Sequence, residues 1–315
     1  MNRHDSAIGT NGPVISPGIA WGLLGVCAFS FTLPMTRVAL AGLDPMVIAC
    51  GRAVVAALLA VVALAVGGGR LPTGNQWLRL IPVSLGVVAG FPVLTSLALR
   101  DVDAGHSAIV IGLLPAATAV VAVLWTRERP GRRFWLGAAV GVVATLAFAL
   151  AAHGTTATMG AGDLYLLGAV VLAAVGYAQG GRMARELGAW QTICWALVLA
   201  VPVMAPATLI ALAGRLPHAT GGQWAAFGYL SAVSMFLGFF AWYRGLAIGP
   251  MTTVSQIQLV QPVLSVSWAV LLLGEHLDAA LVAGGIAVIG CAAFTVRSRV
   301  APAPTPAVPE RSAVT

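Results

Sequence analysis

The sequence predicts an all-α integral membrane protein whose ten transmembrane helices form two inverted repeats of five helices. Three observations support this fold class: an apolar composition, an internal duplication and an uneven distribution of arginine. Hydrophobic residues make up 59% of the 315 residues and charged residues only 9%. Because so few polar groups cannot cover the surface of a soluble globule, the chain belongs in a lipid bilayer.

The duplication is visible in one rare string that occurs twice. Residues 69–77 read GRLPTGNQW and residues 214–224 read GRLPHATGGQW. The first halves of the two strings lie 145 positions apart and the second halves 147, because the second string has two additional residues. The larger offset continues downstream, where Glu128 matches Glu275. We therefore predict two copies of one unit.

Each copy contains five apolar runs of the length that a transmembrane helix needs. A bilayer core about 30 Å thick takes about 20 residues per helix. In the first copy, at 17–152, helices 1 to 5 are predicted at 18–39, 46–66, 78–98, 104–125 and 134–152. In the second copy, at 161–297, helices 6 to 10 are predicted at 163–182, 191–213, 225–245, 251–273 and 279–296. The other predicted segments are a polar N-terminal segment, a linker and a proline-rich disordered tail, at 1–16, 153–160 and 298–315.

The arginines predict how the helices are oriented. If the N-terminus is cytoplasmic, 13 of the 17 arginines lie at the cytoplasmic side and four at the other side. Positive residues near helix ends stay preferentially in the cytoplasm, so both termini are predicted to be cytoplasmic, in the inner membrane of a bacterium. Because five is an odd number, the second copy must cross the membrane in the opposite direction to the first.

The composition also bears on partners and cofactors. The net charge of +7 comes from arginines in short loops, with no basic run longer than a pair, so we predict no nucleic-acid partner. The predicted partners are the lipid bilayer and a small-molecule substrate. The four cysteines lie singly in apolar runs, and we predict no metal and no cofactor. Gly137 and Gly141 in helix 5 form a small-xxx-small pair that suits either a homodimer face or simple close packing.

Three strings, together with Arg52 early in helix 2, carry a resemblance to a known family. LPMTRVALAGLDP ends helix 1, PAATAVVAVLWTRERP closes helix 4, and PVLSVSWAVLLLGEHL lies at the matching place in helix 9. They resemble the ten-helix EamA-type members of the drug/metabolite transporter superfamily. The resemblance implies a secondary carrier that moves small polar metabolites, often amino acids or related compounds, usually outward, by alternating access. It also implies a central site drawn from helices 1, 3, 4, 6, 8 and 9.

Helix 9 carries the densest group of polar residues at bilayer depth, where such residues are costly and mark candidate sites. Gln258, Gln261 and Ser265 are spaced by three and four residues, which places them on one helix face. Pro262 is expected to leave the carbonyl of Gln258 without a partner. These groups, with Gln256, would suit a zwitterionic substrate. The alternative is that the amides bond helix 9 to its neighbours.

Helices 1, 3, 6 and 8 supply further candidates for substrate binding. These are polar or aromatic residues, or a helix-breaking proline, within apolar runs: Thr32, Pro34, Ser96, Tyr177, Gln179, Trp242 and Tyr243. A deep aromatic ring would stack on part of the substrate. For the two aromatic residues near the end of helix 8, the alternative is an interfacial anchor.

Ionisable residues near helix ends are the candidates for gating or ion pairing: Arg52, Asp101, Asp103, His106, Glu128 and Glu275. Arg52 is expected to pair with an aspartate on its side of the membrane, Asp44 included, and attraction of a substrate carboxylate is the alternative. His106 is expected to be either a solvated loop histidine or a proton sensor. Because no acidic residue falls in the middle of a predicted helix, we predict facilitated transport or exchange.

Other classes of function fit the sequence less well than a carrier. The sequence contains no HExxH, GxSxG or GxxxxGK[ST] string, so we predict that the chain is not an enzyme. The first alternative is an efflux carrier for multiple drugs or cationic compounds. A channel and a membrane protein without transport activity are weaker alternatives, because the uneven polarity of the helices favours one localised site over a continuous wet pore.

Overall fold

The computed structural model describes residues 17–126, 160–214, 218–248 and 257–275, with isolated positions at 136–143, 254 and 279–290. The elements assigned in these ranges are all helices. Predicted helices 5 and 10 lie largely outside the described residues, as do the N-terminal segment, the tail and most of the linker. Gly137 and Gly141, the candidate dimer residues, also lie outside them.

The other predicted helices are present, with these bounds. Helix 1 consists of Pro17–Ser30 and Thr32–Leu40, helix 2 of Pro45–Val66, helix 3 of Asn75–Ala98, and helix 4 of Ala104–Ile111 and Leu114–Thr126. Helix 6 is Ala161–Glu186, helix 7 is Ala189–Gly214, helix 8 is Gly221–Ile248, and helix 9 is Gln258–Val260 followed by Gln261–Leu273. Six of them, namely helices 1, 2, 3, 6, 7 and 8, are long and apolar enough to cross a bilayer.

Local sequence signals explain where several helices begin and end. Asp44 caps helix 2, since its side chain accepts a hydrogen bond from the Met46 N–H at 2.8 Å and Pro45 fills the first turn. Thr220 caps helix 8 through the Gln223 N–H. Gly274 ends helix 9 with a φ of 68°, a left-handed conformation that glycine adopts without strain.

Helices 3 and 8 each contain a segment of π-helix, at Ser84–Gly90 and Tyr229–Leu237. The first segment allows helix 3 to approach helix 6 closely. A Cβ atom at Gly86 would lie 2.4 Å from the Leu172 carbonyl oxygen, so only glycine fits at this contact. Small residues at such crossings are typical of membrane bundles. Large apolar side chains point outward elsewhere, as a lipid-facing surface requires.

The contacts between helices define two ends of the bundle. At the end that we call the Glu275 end, the loop after helix 9 meets the start of helix 4. At the opposite end, the Glu186 end, Arg79 near the start of helix 3 contacts Glu186 at the end of helix 6. Helix 3 therefore starts at the Glu186 end. Helix 8 starts at the Glu275 end, where Gln223 contacts Gly42 in the loop after helix 1.

Candidate functional site

A small cavity lies at the centre of the bundle, between helices 1, 2, 3, 6, 8 and 9. Its volume is ≈ 30 Å³, room for about one water molecule. It is lined by one arginine, two hydroxyl residues, one amide, one tyrosine and a set of apolar residues: Arg52, Thr32, Ser234, Gln261, Tyr177, Phe29, Leu33, Val87, Phe91, Ala173, Met235 and Phe239. The polar lining residues are each less than a tenth exposed, so this part of the bundle is largely shielded from solvent.

Arg52 reaches the cavity because its part of helix 2 is buried on all sides, from Ile48 to Ala53. The arginine is only 1% exposed, and its Nε–H group has no hydrogen-bond partner. The expectation of an ion pair with Asp44, Asp101 or Asp103 was wrong. Asp44 caps helix 2, Asp103 pairs with Arg37 at 3.6 Å, and Asp101 is exposed. Because this part of helix 2 is buried, the guanidinium points into the bundle. Its position near the helix end had predicted that the side chain extends outward to the membrane surface.

Thr32 and Ser234 share a hydrogen bond of 2.7 Å across the cavity wall, from helix 1 to helix 8. Thr36, one turn further on, donates to the Thr32 carbonyl. Ser234 was not among the sequence candidates. It lies in the π-helical segment of helix 8, and such segments occur often at functional sites.

Aromatic rings form the wall of the cavity toward the Glu186 end. Phe29 stacks on Tyr177 with ring centroids 6.4 Å apart and meets Phe239 at 4.9 Å. Trp242 lies behind Tyr177 at 5.7 Å, and Tyr243 donates a hydrogen bond to the Gly176 carbonyl at 3.4 Å. Trp242 and Tyr243 are 1% and 0% exposed, so the alternative of interfacial anchors was wrong. The sequence missed both phenylalanines, since apolar residues carry no signal in apolar helices.

Gln258, Gln261, Pro262 and Ser265 line a second cavity of ≈ 10 Å³, which adjoins the central one at Gln261. Both amide atoms of Gln258 and the Oε1 atom of Gln261 have no hydrogen-bond partner. None of these three atoms therefore bonds helix 9 to a neighbour within ordinary hydrogen-bond distance, although the Tyr177 hydroxyl lies near enough to interact with Gln258. One expectation was wrong: the Gln258 carbonyl is not free, because the 3₁₀ turn lets the Gln261 N–H donate to it.

Ser265 acts differently from the two glutamines. Its hydroxyl donates to the Ser30 carbonyl at 2.8 Å, and the Trp268 Nε1–H donates to the Ser30 hydroxyl at 3.0 Å. Pro34 explains this arrangement, because its missing N–H leaves the Ser30 carbonyl without a helical partner. Helix 1 is interrupted at Phe31 for the same reason. By leaving the Ser30 carbonyl free, Pro34 allows helix 1 to accept a hydrogen bond from helix 9. Pro34 is not among the residues that line either cavity.

The remaining substrate-site candidates lie off the cavity. Ser96 is fully buried, with a hydroxyl that has no hydrogen-bond partner, and Gln179 is 6% exposed. Neither lines the central cavity nor the smaller one. Gln256 lies outside the described residues.

The Glu275 end is held together by charged and polar contacts. The Glu275 carboxylate accepts hydrogen bonds from the N–H groups of Ala104 and Gly105, at 2.9 and 2.8 Å. It caps helix 4 and faces the positive end of the helix dipole. Arg37 donates to the Leu99 carbonyl in addition to its contact with Asp103. Glu128, the counterpart of Glu275, lies outside the described residues.

His106 also belongs to the Glu275 end. Its Nε2 atom lies 2.7 Å from Oδ1 of Asp163 at the start of helix 6. His106 is 8% exposed and Asp163 is fully buried, so the expectation of a solvated loop histidine was wrong. Asp163 was not a sequence candidate, because an aspartate at the start of a helix is typical of a residue that caps the helix. Neither His106 nor Glu275 lines the central cavity.

The Glu186 end is closed by a second set of contacts. Arg79 donates two hydrogen bonds of 2.7 Å to the Glu186 carboxylate, from helix 3 to helix 6. Trp195 in helix 7 donates to the Arg70 carbonyl and packs edge-on against Trp77, with centroids 5.5 Å apart. Within the described part of the chain, no cluster of three His, Cys, Asp or Glu side chains could hold a metal ion.

Comparisons with known proteins agree with this architecture. The model of the EamA-like transporter family matches the chain twice, at residues 16–150 and 160–297. An uncharacterized transporter of Bacillus subtilis (strain 168), YdeK, is 41% identical over 284 residues, covering 88% of this chain and 96% of its own length. A solved crystal structure superimposes with a TM-score of 0.64 at 18% identity, covering 90% of this chain and 99% of the other. The chain is a membrane protein that belongs to the EamA-like transporter family.

Proposed function

We propose that the protein is a secondary transporter that carries a small polar metabolite, an amino acid or a related compound, outward across the bacterial cell membrane by alternating access. One observation carries this proposal. The central cavity takes polar side chains from both halves of the chain, and polar contacts between those halves lie at each end of the bundle.

The inverted arrangement of the two repeats has support from the helix directions. Helices 3 and 8 are counterparts, and they start at opposite ends of the bundle. Their π-helical segments overlap when the repeats are aligned at the offset of 147, which superimposes residues 84–90 on 231–237. Val87 and Ser234 are counterparts in this alignment, and both line the cavity. A site on a pseudo-twofold axis in the membrane plane is typical of inverted-repeat carriers.

Both closures are of a kind that can open. The Arg79–Glu186 pair and the Glu275 cap are partly exposed polar contacts, which are individually weak, of the order of 1 kcal/mol. Apolar close packing holds other parts of the seam, as at Gly86. Alternate breaking of the two polar closures would connect the cavity to one side of the membrane at a time.

The aromatic wall favours a second candidate, the efflux of cationic compounds, because a cation binds well over aromatic faces. Arg52 counts against it. The arginine lines the same small cavity as Phe29 and Tyr177, and a like charge at this distance in a medium of low dielectric constant repels a cation strongly. The metabolite carrier is therefore the better supported function.

Disulfide crosslinks test alternating access directly. In protein with Cys27, Cys50, Cys194 and Cys291 replaced by alanine, one variant carries Arg79→Cys with Glu186→Cys. A second variant carries Ala104→Cys with Glu275→Cys. In proteoliposomes that exchange labelled leucine, threonine or tryptophan, each crosslink alone should stop the flux, and a reductant should restore it.

The single-cysteine variants are the matched controls, and they should keep their flux under oxidising conditions. Undiminished flux with either crosslink fully formed would contradict alternating access. Passage of all three amino acids at rates that do not saturate would indicate a channel.

A further inference from the structure

Among the described residues that line the central cavity, Arg52 alone carries a full charge. It is the eighth residue of helix 2, which places it about 10 Å along the helix axis from Pro45. Its side chain is buried, and among the residues that the structure describes no carboxylate pairs with it. An uncompensated charge at this depth costs several kcal/mol. Such a cost is retained only where the charge has a use.

The described carboxylates closest along the chain, and those at the same end of the bundle, are engaged elsewhere, apart from Asp101, which is exposed. Asp44 caps helix 2, Asp103 contacts Arg37, and Asp163 contacts His106. The protein therefore does not supply a counter-charge to Arg52 within the described ranges. The described carboxylates therefore leave the role of counter-charge to a bound solute.

The repeat shows that packing does not require an arginine here. The counterpart of Arg52, 145 positions later in helix 7, is Leu197. Leu197 is fully buried as well. One half of the bundle thus fills the equivalent position with an aliphatic side chain. The fold therefore does not need a charged side chain at this position.

We infer that Arg52 binds the carboxylate of the transported solute, so that the substrates are small carboxylates, zwitterions included. This inference rests on the proposed transport function. A planar guanidinium can hold a carboxylate through two parallel hydrogen bonds. The Thr32 and Ser234 hydroxyls line the same cavity, and the one that accepts their shared hydrogen bond has its own proton free to donate to a carboxylate oxygen.

The other lining groups fit the rest of such a solute. The Oε1 atom of Gln261 is a buried acceptor with no partner, and it suits an ammonium or N–H donor of a zwitterion. Phe29 and Phe239 offer an apolar face for a hydrocarbon side chain. Compounds with a permanent positive charge and no carboxylate are excluded by repulsion from Arg52.

The first test is the stability of an Arg52→Leu variant, which copies the residue at the counterpart position. If Arg52 serves a ligand, removing its unpaired charge should raise the melting temperature of the purified protein without added solute. Arg185→Leu, which removes an exposed arginine from helix 6, is the matched control and should leave the melting temperature unchanged. A lower melting temperature for Arg52→Leu would assign the arginine a structural role and overturn the inference.

The second test uses pairs of probes that differ in the carboxylate. Acetate, 4-methylpentanoate, leucine and phenylalanine are compared with acetamide, 4-methylpentanamide, leucinamide and phenylalaninamide in thermal-shift titrations. At least one acid should stabilise the wild-type protein more than its amide does. Its half-saturating concentration should rise at least about tenfold in Arg52→Leu and less in Arg52→Lys. If no acid exceeds its amide, the inference is wrong.

Flux measurements separate this inference from the proposed function. Acid-selective binding that is lost in Arg52→Leu, together with no flux of the same acid in proteoliposomes, would keep the site and reject the transport function. Flux of the acid that is equal in wild-type protein and Arg52→Leu would keep the transport function and reject the site.

Discussion

The hydroxyl groups of Thr32 and Ser234 lie 2.7 Å apart and join the two repeats at the wall of the central cavity. Neither residue has its own kind at the counterpart position, where Tyr177 and Val87 stand. The contact is therefore specific to the cavity and not a feature that the fold repeats. Substitution of these two residues therefore tests how the two halves cooperate in binding.

We expect Thr32→Val and Ser234→Ala each to raise the half-saturating concentration for exchange, and the double variant to add little to the larger single effect. The physical reason is that one hydrogen bond, worth about 1 kcal/mol, is lost in all three proteins. Exchange of labelled solute over a concentration series provides the measurement. Ser267→Ala is the control, because the Ser267 hydroxyl bonds only within helix 9. Fully additive effects would show that the two hydroxyls act separately.

The sequence predicted part of this site for identifiable reasons. Thr32, Tyr177 and Gln261 stood out because polar groups are conspicuous in the middle of apolar helices. Ser234 did not, because the π-helical segment changes which residues face inward, and a regular helical period does not show this. The prediction that Arg52 pairs with an aspartate near the membrane surface was wrong, since the distance of a residue from the helix end does not show which other helices cover it.

Substitutions in helix 9 should separate binding from packing. Gln258→Leu and Gln261→Leu should abolish flux while leaving the melting temperature unchanged or higher, because they remove both amide atoms of Gln258 and the Oε1 atom of Gln261, which are buried without a hydrogen-bond partner. Ser265→Ala should instead lower the free energy of unfolding by about 1 to 3 kcal/mol, since the Ser30 carbonyl loses its donor.

Thermal unfolding and flux, measured on the same preparations, test both expectations. Normal flux in both glutamine variants would remove helix 9 from the binding site. A large loss of stability in either glutamine variant would mean that the amides hold the bundle together after all.

The Glu275 cap should control access to the cavity from its own end. Glu275→Gln removes the negative charge from the start of helix 4 and weakens the cap by about 1 kcal/mol. A cysteine introduced at Thr32 should then react several times faster with a membrane-impermeant maleimide applied from the Glu275 side. Asp101→Asn, which changes an exposed carboxylate nearby, is the control and should leave the rate unchanged. An equal rate in Glu275→Gln would show that the cap does not close the cavity.

The duplication was predictable from two strings, and Glu275 and His106 were gating candidates, whereas the partners that join in the polar contacts at the two ends were not predictable. Contacts such as those of Arg79 with Glu186 and of His106 with Asp163 join residues that are 107 and 57 positions apart. Nothing in the local sequence distinguishes them from charges that face solvent. They depend on how the helices pack, and helix packing is specified by many small residues together.

The residues that line the central cavity bear on the source of energy for transport. The central cavity contains no carboxylate or histidine among its described lining residues, and the buried Asp163 is engaged with His106 outside it. A proton antiporter needs a group that changes protonation where the substrate binds. We therefore expect that flux in proteoliposomes will not follow an imposed pH gradient at zero membrane potential. Unlabelled solute on the opposite side should accelerate it, as exchange requires. Uptake that rises with the pH gradient in wild-type protein, and not in His106→Gln, would instead place the coupling at the pair formed by His106 and Asp163.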